Sequence, residues 1–223
     1  KFWKYLMNNE LIKRILSSLV LIPIVLFVII KGSTYFNFFL TICFFVILFE
    51  WYKVCKKKNF YYLGIIFLMF SFYTIYSLYN FNENYVNFLF ILLICVSTDM
   101  GGYTFGKILK GPKLTSISPK KTYSGVIGGF VFTILSISFF FKISLFFHDE
   151  TKILLSTYML AILISAVSQI GDIIISYFKR LNNIKDTGHI IPGHGGLLDR
   201  VDGMIFAFPF YYLILKTSLI KFF

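Results

Sequence analysis

Charge is scarce in this sequence. Only 14% of its 223 residues are Asp, Glu, Lys or Arg, and only 10 are acidic. Soluble domains carry about 25% charged residues, so a water-facing surface cannot be assembled from this supply. Cysteine is rare too: Cys43, Cys55 and Cys95 are the only three. None stands in a C-x-x-C spacing, which excludes a disulfide framework or a cysteine-held zinc site. There is no internal repeat and no stretch that reads as a separate soluble domain. No cleavable signal peptide precedes the first apolar run, and the opening residue, Lys1, suggests a trimmed N-terminus.

What fills the chain is apolar. Hydrophobic residues make up 57% and the mean hydropathy is +0.77. The 29 Phe and 15 Tyr, with abundant Ile, Asn and Lys, fit a nucleotide bias of the genome and carry no functional reading. A spanning helix needs about 20 apolar residues. Seven runs are candidates, at about 16–30, 35–52, 60–79, 85–105, 126–147, 153–178 and 204–220. Pro23 is a kink point in the first, and Ser97, Thr98 and Asp99 interrupt the fourth. The expected fold class is all-α: a polytopic integral membrane protein with about seven transmembrane helices.

The net charge is +12. In a soluble protein that would raise nucleic acid as a partner. In a membrane protein it reads as loop charge on the cytoplasmic side, and no nucleic-acid partner is expected. The basic residues gather in four places: Lys1, Lys4, Lys13 and Arg14; Lys53 and Lys56–Lys58; Lys107, Lys110, Lys113, Lys120 and Lys121; and Lys179, Arg180, Lys185 and Arg200. This bias puts the N-terminus inside. Residues 1–84 then form the first three helices. Residues 85–223 form the other four, with two long inside loops, 106–125 and 179–203, which are rich in glycine and polar groups. Function concentrates in such loops.

The densest chemistry lies between Ser176 and Asp202. Glycines 193, 195 and 196 let backbone approach a ligand closely. Flanking cations suit phosphate oxygens, and carboxylates beside them suit Mg²⁺. Asp199 and Asp202, three apart, share a face on a helix. Asp172, Ser176 and Lys179 follow one another at helical spacing and form one stripe. Taken singly, Asp202 equally suits a helix cap at Gly203. Lys179 and Arg180 equally suit snorkelling at a span end, and His194 a hydrogen-bonded loop. Asp172 is harder to set aside, because an acid in a spanning segment is expensive and is a functional candidate by default.

Taken together, the segment resembles the signature of the phosphatidate cytidylyltransferases, or CDP-diacylglycerol synthases. That pattern runs S-x-x-K-R, four residues, K-D-x-G, three residues, P-x-H-G-G, two residues, D-R-x-D. Every fixed position is filled, from Ser176-Tyr177-Phe178-Lys179-Arg180 through Lys185-Asp186, Gly188, Pro192, His194-Gly195-Gly196 and Asp199-Arg200-Val201-Asp202. The upstream Gly171-Asp172 is similar too. So is a second element: Thr98-Asp99, Gly106-Lys107, Ser118-Pro119-Lys120-Lys121-Thr122 and Gly125. The resemblance covers the chain from about Asp99 onward, while the first three spans match only in character. Two positions depart: Ile175 and Ser124 stand where many relatives carry an acid. The chain is also short for the family, which suggests that N-terminal spans are missing or fewer.

The resemblance implies that CTP and phosphatidate yield CDP-diacylglycerol and pyrophosphate, with Mg²⁺ and a second, monovalent cation such as K⁺. It implies Asp172, Asp199 and Asp202 as metal ligands, and Lys179, Arg180, Lys185 and Arg200 on phosphate groups. Ser176 would support substrate or metal. Asp186 and His194 complete the catalytic group, His194 by shaping the glycine turn. Ser118, Lys120, Lys121, Thr122, Gly195 and Gly196 would hold CTP. Asp99 is a further candidate for the ion site or for orienting a lysine. No general base is needed, because the lipid phosphate is the nucleophile. The family is often dimeric. The expected setting is a bacterial inner (plasma) membrane, crossed several times, with the site facing the cytoplasm. A transporter of an anionic solute is the rival from another class, and a lipid nucleotidyltransferase with other substrates is the nearer one. The D-G-x-x-A-R motif of CDP-alcohol phosphatidyltransferases and the P-S-G-H element of lipid phosphatases are absent.

Overall fold

The structure, a computed structural model, describes residues 17–55 apart from 18 and 22, 60–80, 85–118, 121–147, 155–188, 190 and 195–217. Its elements are helices: α1 (Ser33–Cys55), α2 (Tyr61–Tyr79), α3 (Val86–Leu109), α4 (Tyr123–Phe147), α5 (Leu155–Leu181), the single turn α6 (Leu198–Val201) and α7 (Met204–Lys216). Helices α1 to α5 are long and apolar enough to cross a membrane. The chain is an all-α polytopic membrane protein. The outermost expected runs form shorter apolar helices, Leu19–Lys31 and Met204–Lys216, below the roughly 20 residues a span needs. Length therefore singles out five spans among the described residues. Apolar side chains such as Phe38, Leu63 and Ile66 are more than half exposed, as suits a surface solvated by lipid.

The polar loops are narrower than the sequence suggests. Helix α3 runs on through Gly106 and Lys107 to Leu109, and α4 begins at Tyr123 and takes in Gly125. Helix α5 continues through Lys179 and Arg180 to Leu181. The backbone keeps its helical hydrogen bonds past the first basic residues, so composition changes before conformation does.

The described residues fall into two compact units. The first comprises the chain up to Tyr76 with Phe178–Val201, and the second comprises Ser77–Tyr177 with the chain from Asp202. In the first, the Trp51 indole donates from Nε1 to the Tyr61 carbonyl at 3.1 Å. Gly64 makes room for that ring, since a Cβ there would sit 2.1 Å from Trp51 Cζ2. Phe178 packs edge-on against Trp51 and tilted against Phe60.

In the second unit, α3 and α4 meet along glycines. A Cβ on Gly101 would lie 2.3 Å from the Gly128 carbonyl oxygen, and one on Gly128 would lie 2.3 Å from Phe105 Cβ. Small residues let helix backbones approach this closely where no hydrophobic effect drives them together. A buried hydroxyl cluster ties α5 to the pair. Thr98 Oγ1 lies 2.7 Å from Ser165 Oγ and 3.0 Å from Thr133 Oγ1. Helix α7 closes on α5 through Gly203, whose Cβ would meet Ser168 Oγ at 2.3 Å, and through Gly171, which faces Phe206.

Candidate active site

In the first unit, the signature loop is built around two carboxylates. Asp199, on α6, accepts the Lys179 ammonium at 2.8 Å on one oxygen. Its other oxygen accepts the Thr187 amide at 2.8 Å and the Gly196 amide at 3.1 Å. Both partners of the ion pair are nearly buried, with side-chain exposures of 11% for Lys179 and 8% for Asp199. Burial pushes the Asp199 carboxyl up, but the Lys179 hydrogen bond, the Thr187 amide, the Lys179 charge and the Gly196 amide outweigh it. They hold the group below the ordinary carboxylate value.

The second carboxylate is Glu50, near the C-terminal end of α1 and 1% exposed. It accepts the Leu197 amide at 2.9 Å on Oε1, and on Oε2 the Leu198 amide at 2.7 Å and the Thr187 hydroxyl at 3.0 Å. Two signature glycines are shaped by it. A Cβ on Gly188 would fall 2.7 Å from Glu50 Oε1, and one on Gly196 would fall 2.8 Å from Oε2 and 2.1 Å from Thr187 Oγ1. The space that Gly196 leaves is thus taken by Glu50 and Thr187. Gly195 is needed for another reason, its φ of +88°, which side-chain-bearing residues rarely adopt. Arg180 donates to the Ile184 carbonyl at 3.3 Å, while Lys185, Asp186 and Arg200 are exposed. His194 lies outside the described residues.

In the second unit, Lys121 Nζ approaches Asp172 Oδ2 at 2.6 Å as an ion pair. Ser176, one turn on along α5, donates to Asp172 Oδ1 at 3.4 Å. The loop that carries Lys121 is a small hairpin. The Leu114 amide donates to the Lys121 carbonyl at 2.8 Å, and the Lys121 amide to that of Ser118 at 3.0 Å. Thr122 Oγ1 accepts the Gly125 amide at 3.1 Å, an N-cap for α4. Ser124, one of the two departing positions, donates to the Lys110 carbonyl, where a φ of 54° ends α3. Ile175, the other, is buried at 4% exposure. Ser118 is half-buried and Asp99 exposed, and Lys120 lies outside the described residues. Asp202 accepts the Gly203 amide at 2.9 Å, and no side chain caps α7.

Expected site residues are therefore brought together in two sets: Lys179 with Asp199, and Lys121 with Asp172 and Ser176. Glu50 and Thr187 belong with the first and are not among the residues expected from the sequence. The signal was present for Glu50, an acid in an apolar span, by the same reasoning that singles out Asp172. Among the described residues, no three His, Cys, Asp or Glu side chains gather as a metal site. Mg²⁺ is held by one or two carboxylates plus substrate phosphate, and Asp172 fits that need. Its side chain is 32% exposed, and among the described residues its Oδ1 has only the long Ser176 contact. Asp199 already accepts three donors.

The profile of the cytidylyltransferase family matches residues 12–84 and 60–218. The chain belongs to that family. Similar proteins include the phosphatidate cytidylyltransferase of Rickettsia bellii, 35% identical over 217 residues, which cover 93% of this chain and 91% of that one. That of Rickettsia prowazekii is 33% identical over 208 residues, 90% of each chain. That of Bacillus subtilis is 34% identical over 179 residues, 76% of this chain and 65% of that one. The family match takes in Glu50 as well as the segment from Ser176 to Asp202.

Proposed function

We propose that this member of the cytidylyltransferase family transfers the cytidylyl group of CTP to phosphatidate, releasing CDP-diacylglycerol and pyrophosphate. The observation that carries the reading is the nearly buried Lys179–Asp199 pair, fixed by the amides of the signature loop. Its sequence context and the phosphatidate cytidylyltransferases to which the chain is similar give it a substrate. A phosphate oxygen of the lipid attacks the α-phosphorus of CTP, and the bond from that phosphorus to the β-phosphate bridging oxygen breaks. Both reactants are anions, so cations must offset their repulsion. Lys179, oriented by Asp199, and Lys121, held beside Asp172, supply charge in fixed directions. Asp172 would hold Mg²⁺ together with substrate phosphate. Bound there, the ion would neutralise triphosphate charge and stabilise the leaving pyrophosphate. The basic loops and the bacterial relatives favour a bacterial plasma membrane with the site on the cytoplasmic side, where CTP and a leaflet-anchored lipid meet.

The test is turnover by purified protein in detergent with phosphatidate, Mg²⁺ and radiolabelled CTP. Label is expected in the lipid phase, lost on adding excess EDTA and restored by Mg²⁺. Folded protein that transfers no label from CTP would overturn the assignment and bring an anion transporter or another lipid substrate forward. Label transfer that persists in EDTA would remove the metal from the reading.

A further inference from the structure

The amides of Gly196, Leu197 and Leu198 are consecutive donors, and all three point at carboxylates of the protein itself. A run of successive N–H groups is ordinarily an anion-binding concavity. Here it is already filled: Asp199 takes the first amide and Glu50 the next two. Glu50 also takes the Thr187 hydroxyl, and Asp199 takes the Thr187 amide. The two carboxylates therefore clamp the same pair of backbone stretches. Among the described residues, only one of them touches a cation, the Lys179 ammonium on Asp199. Glu50 is buried and serves as acceptor for three donors of the loop.

We propose that Glu50 is a positioning residue for cytidylyl transfer. It fixes the Gly196–Leu198 turn so that Asp199 meets Lys179 in one geometry. The link is mechanical. Asp199 follows Leu198 directly, and the Leu198 amide is the shortest of the Glu50 contacts at 2.7 Å. Without Glu50, three donors, two of them buried, lose their acceptor, and the turn that starts α6 loses the negative charge at its amino end. The glycines at 188 and 196 follow from this arrangement, because a Cβ at either would strike the Glu50 carboxylate. A phosphate of CTP has no place on the 196–198 amides while Glu50 and Asp199 occupy them, so substrate phosphates are left to side chains and metal.

The inference rests on the proposed reaction for its kinetic arm, so a second readout independent of turnover goes with it. The variants are Glu50→Ala, Glu50→Gln and Thr187→Val. Hydrogen exchange in detergent is followed by mass spectrometry on peptides covering 195–199 and, separately, α1 and α2. In Glu50→Ala the 195–199 amides are expected to exchange faster, with α1 and α2 as protected as in the wild type. The value of kcat is expected to fall about 10- to 100-fold, as for loss of hydrogen bonds to a charged group. Glu50→Gln keeps one acceptor oxygen and should fall between wild type and alanine. If Glu50→Ala does not fold, Thr187→Val and Glu50→Gln carry the same comparison. Unchanged protection at 195–199, or protection lost equally along α1 and α2, overturns the proposal. So does a Glu50→Ala enzyme that retains wild-type kcat. If the wild type itself transfers no label, the reaction assignment fails and the exchange pattern alone decides on Glu50.

Discussion

Replacing Asp199 by Asn asks most directly whether the Lys179–Asp199 pair drives the chemistry. The side chains are nearly isosteric, so packing is preserved. Asp199 accepts one donor on Oδ1 and two on Oδ2. The amide can keep its oxygen toward Thr187 and Gly196, and its NH₂ then faces the Lys179 ammonium, donor against donor. The alternative rotamer leaves both backbone amides without an acceptor. The better choice forfeits one charge-assisted hydrogen bond, about 1.5–3 kcal/mol, and leaves a nearly buried ammonium unpaired. Breaking such a pair costs about 3–5 kcal/mol, and the two amide bonds retained place the variant toward the lower end. At about 1.4 kcal/mol per decade, turnover should fall about 100-fold. The assay is transfer of labelled CTP into lipid by Asp199→Asn, Lys179→Met and the double variant. If the two residues act as a unit, the double variant is no slower than the worse single one. Asp199→Asn within about threefold of wild type, with Lys179→Met strongly impaired, would refute the reasoning. Stability should follow pH in a defined direction as well. The folded-state pKa of Asp199 is lowered from 3.8. Its contribution is therefore complete above that value and is lost as pH falls through the lower, folded one. Acid unfolding below pH 3.8 should be shallower in Asp199→Asn.

Lys121→Gln should separate function from stability. The pair with Asp172 is partly exposed, and such pairs contribute about 0–1 kcal/mol to folding. The thermal midpoint in detergent should barely move, while kcat/KM for CTP drops about 10- to 100-fold through loss of a charged phosphate contact. Equal losses in both would mean that Lys121 holds the fold. The glycine seam gives a contrast with a built-in control. Gly128→Ala drives a methyl to 2.3 Å from Phe105 Cβ, whereas Gly102→Ala meets only the Gly125 carbonyl at 3.8 Å. Overpacking costs about 1–3 kcal/mol, so the first should lower the unfolding midpoint and the second should leave it in place. Equal behaviour of the two would rule out close contact of α3 with α4.

The spans were readable because lipid imposes one simple demand, a long apolar run with its backbone paired internally. The run expected at 35–52 became Ser33–Cys55, and that at 60–79 became Tyr61–Tyr79. Ends were harder, since Lys179 and Arg180 look like loop residues yet finish a helix. The segment that brings Lys179 and Asp199 together was legible through its spacing. What holds it was not, because Glu50 and Thr187 meet across 137 positions and leave no local trace. Gly196 shows the same limit from the other side. A glycine beside cations suggests room for a ligand, but only the folded chain reveals that Thr187 and Glu50 occupy that room. The glycines of α3 and α4 are likewise too widely spaced in sequence to disclose which faces which.

Helix α5 has 27 residues, which at 1.5 Å each is a rod about 40 Å long. The hydrocarbon core of a bilayer is about 30 Å thick. Roughly 10 Å must tilt or stand clear, and Asp172, Ser176 and Lys179 all lie toward the C-terminal end of that rod. In a rod of that length, the distance of these three side chains from the helix midpoint is fixed by residue count alone, at 1.5 Å per position.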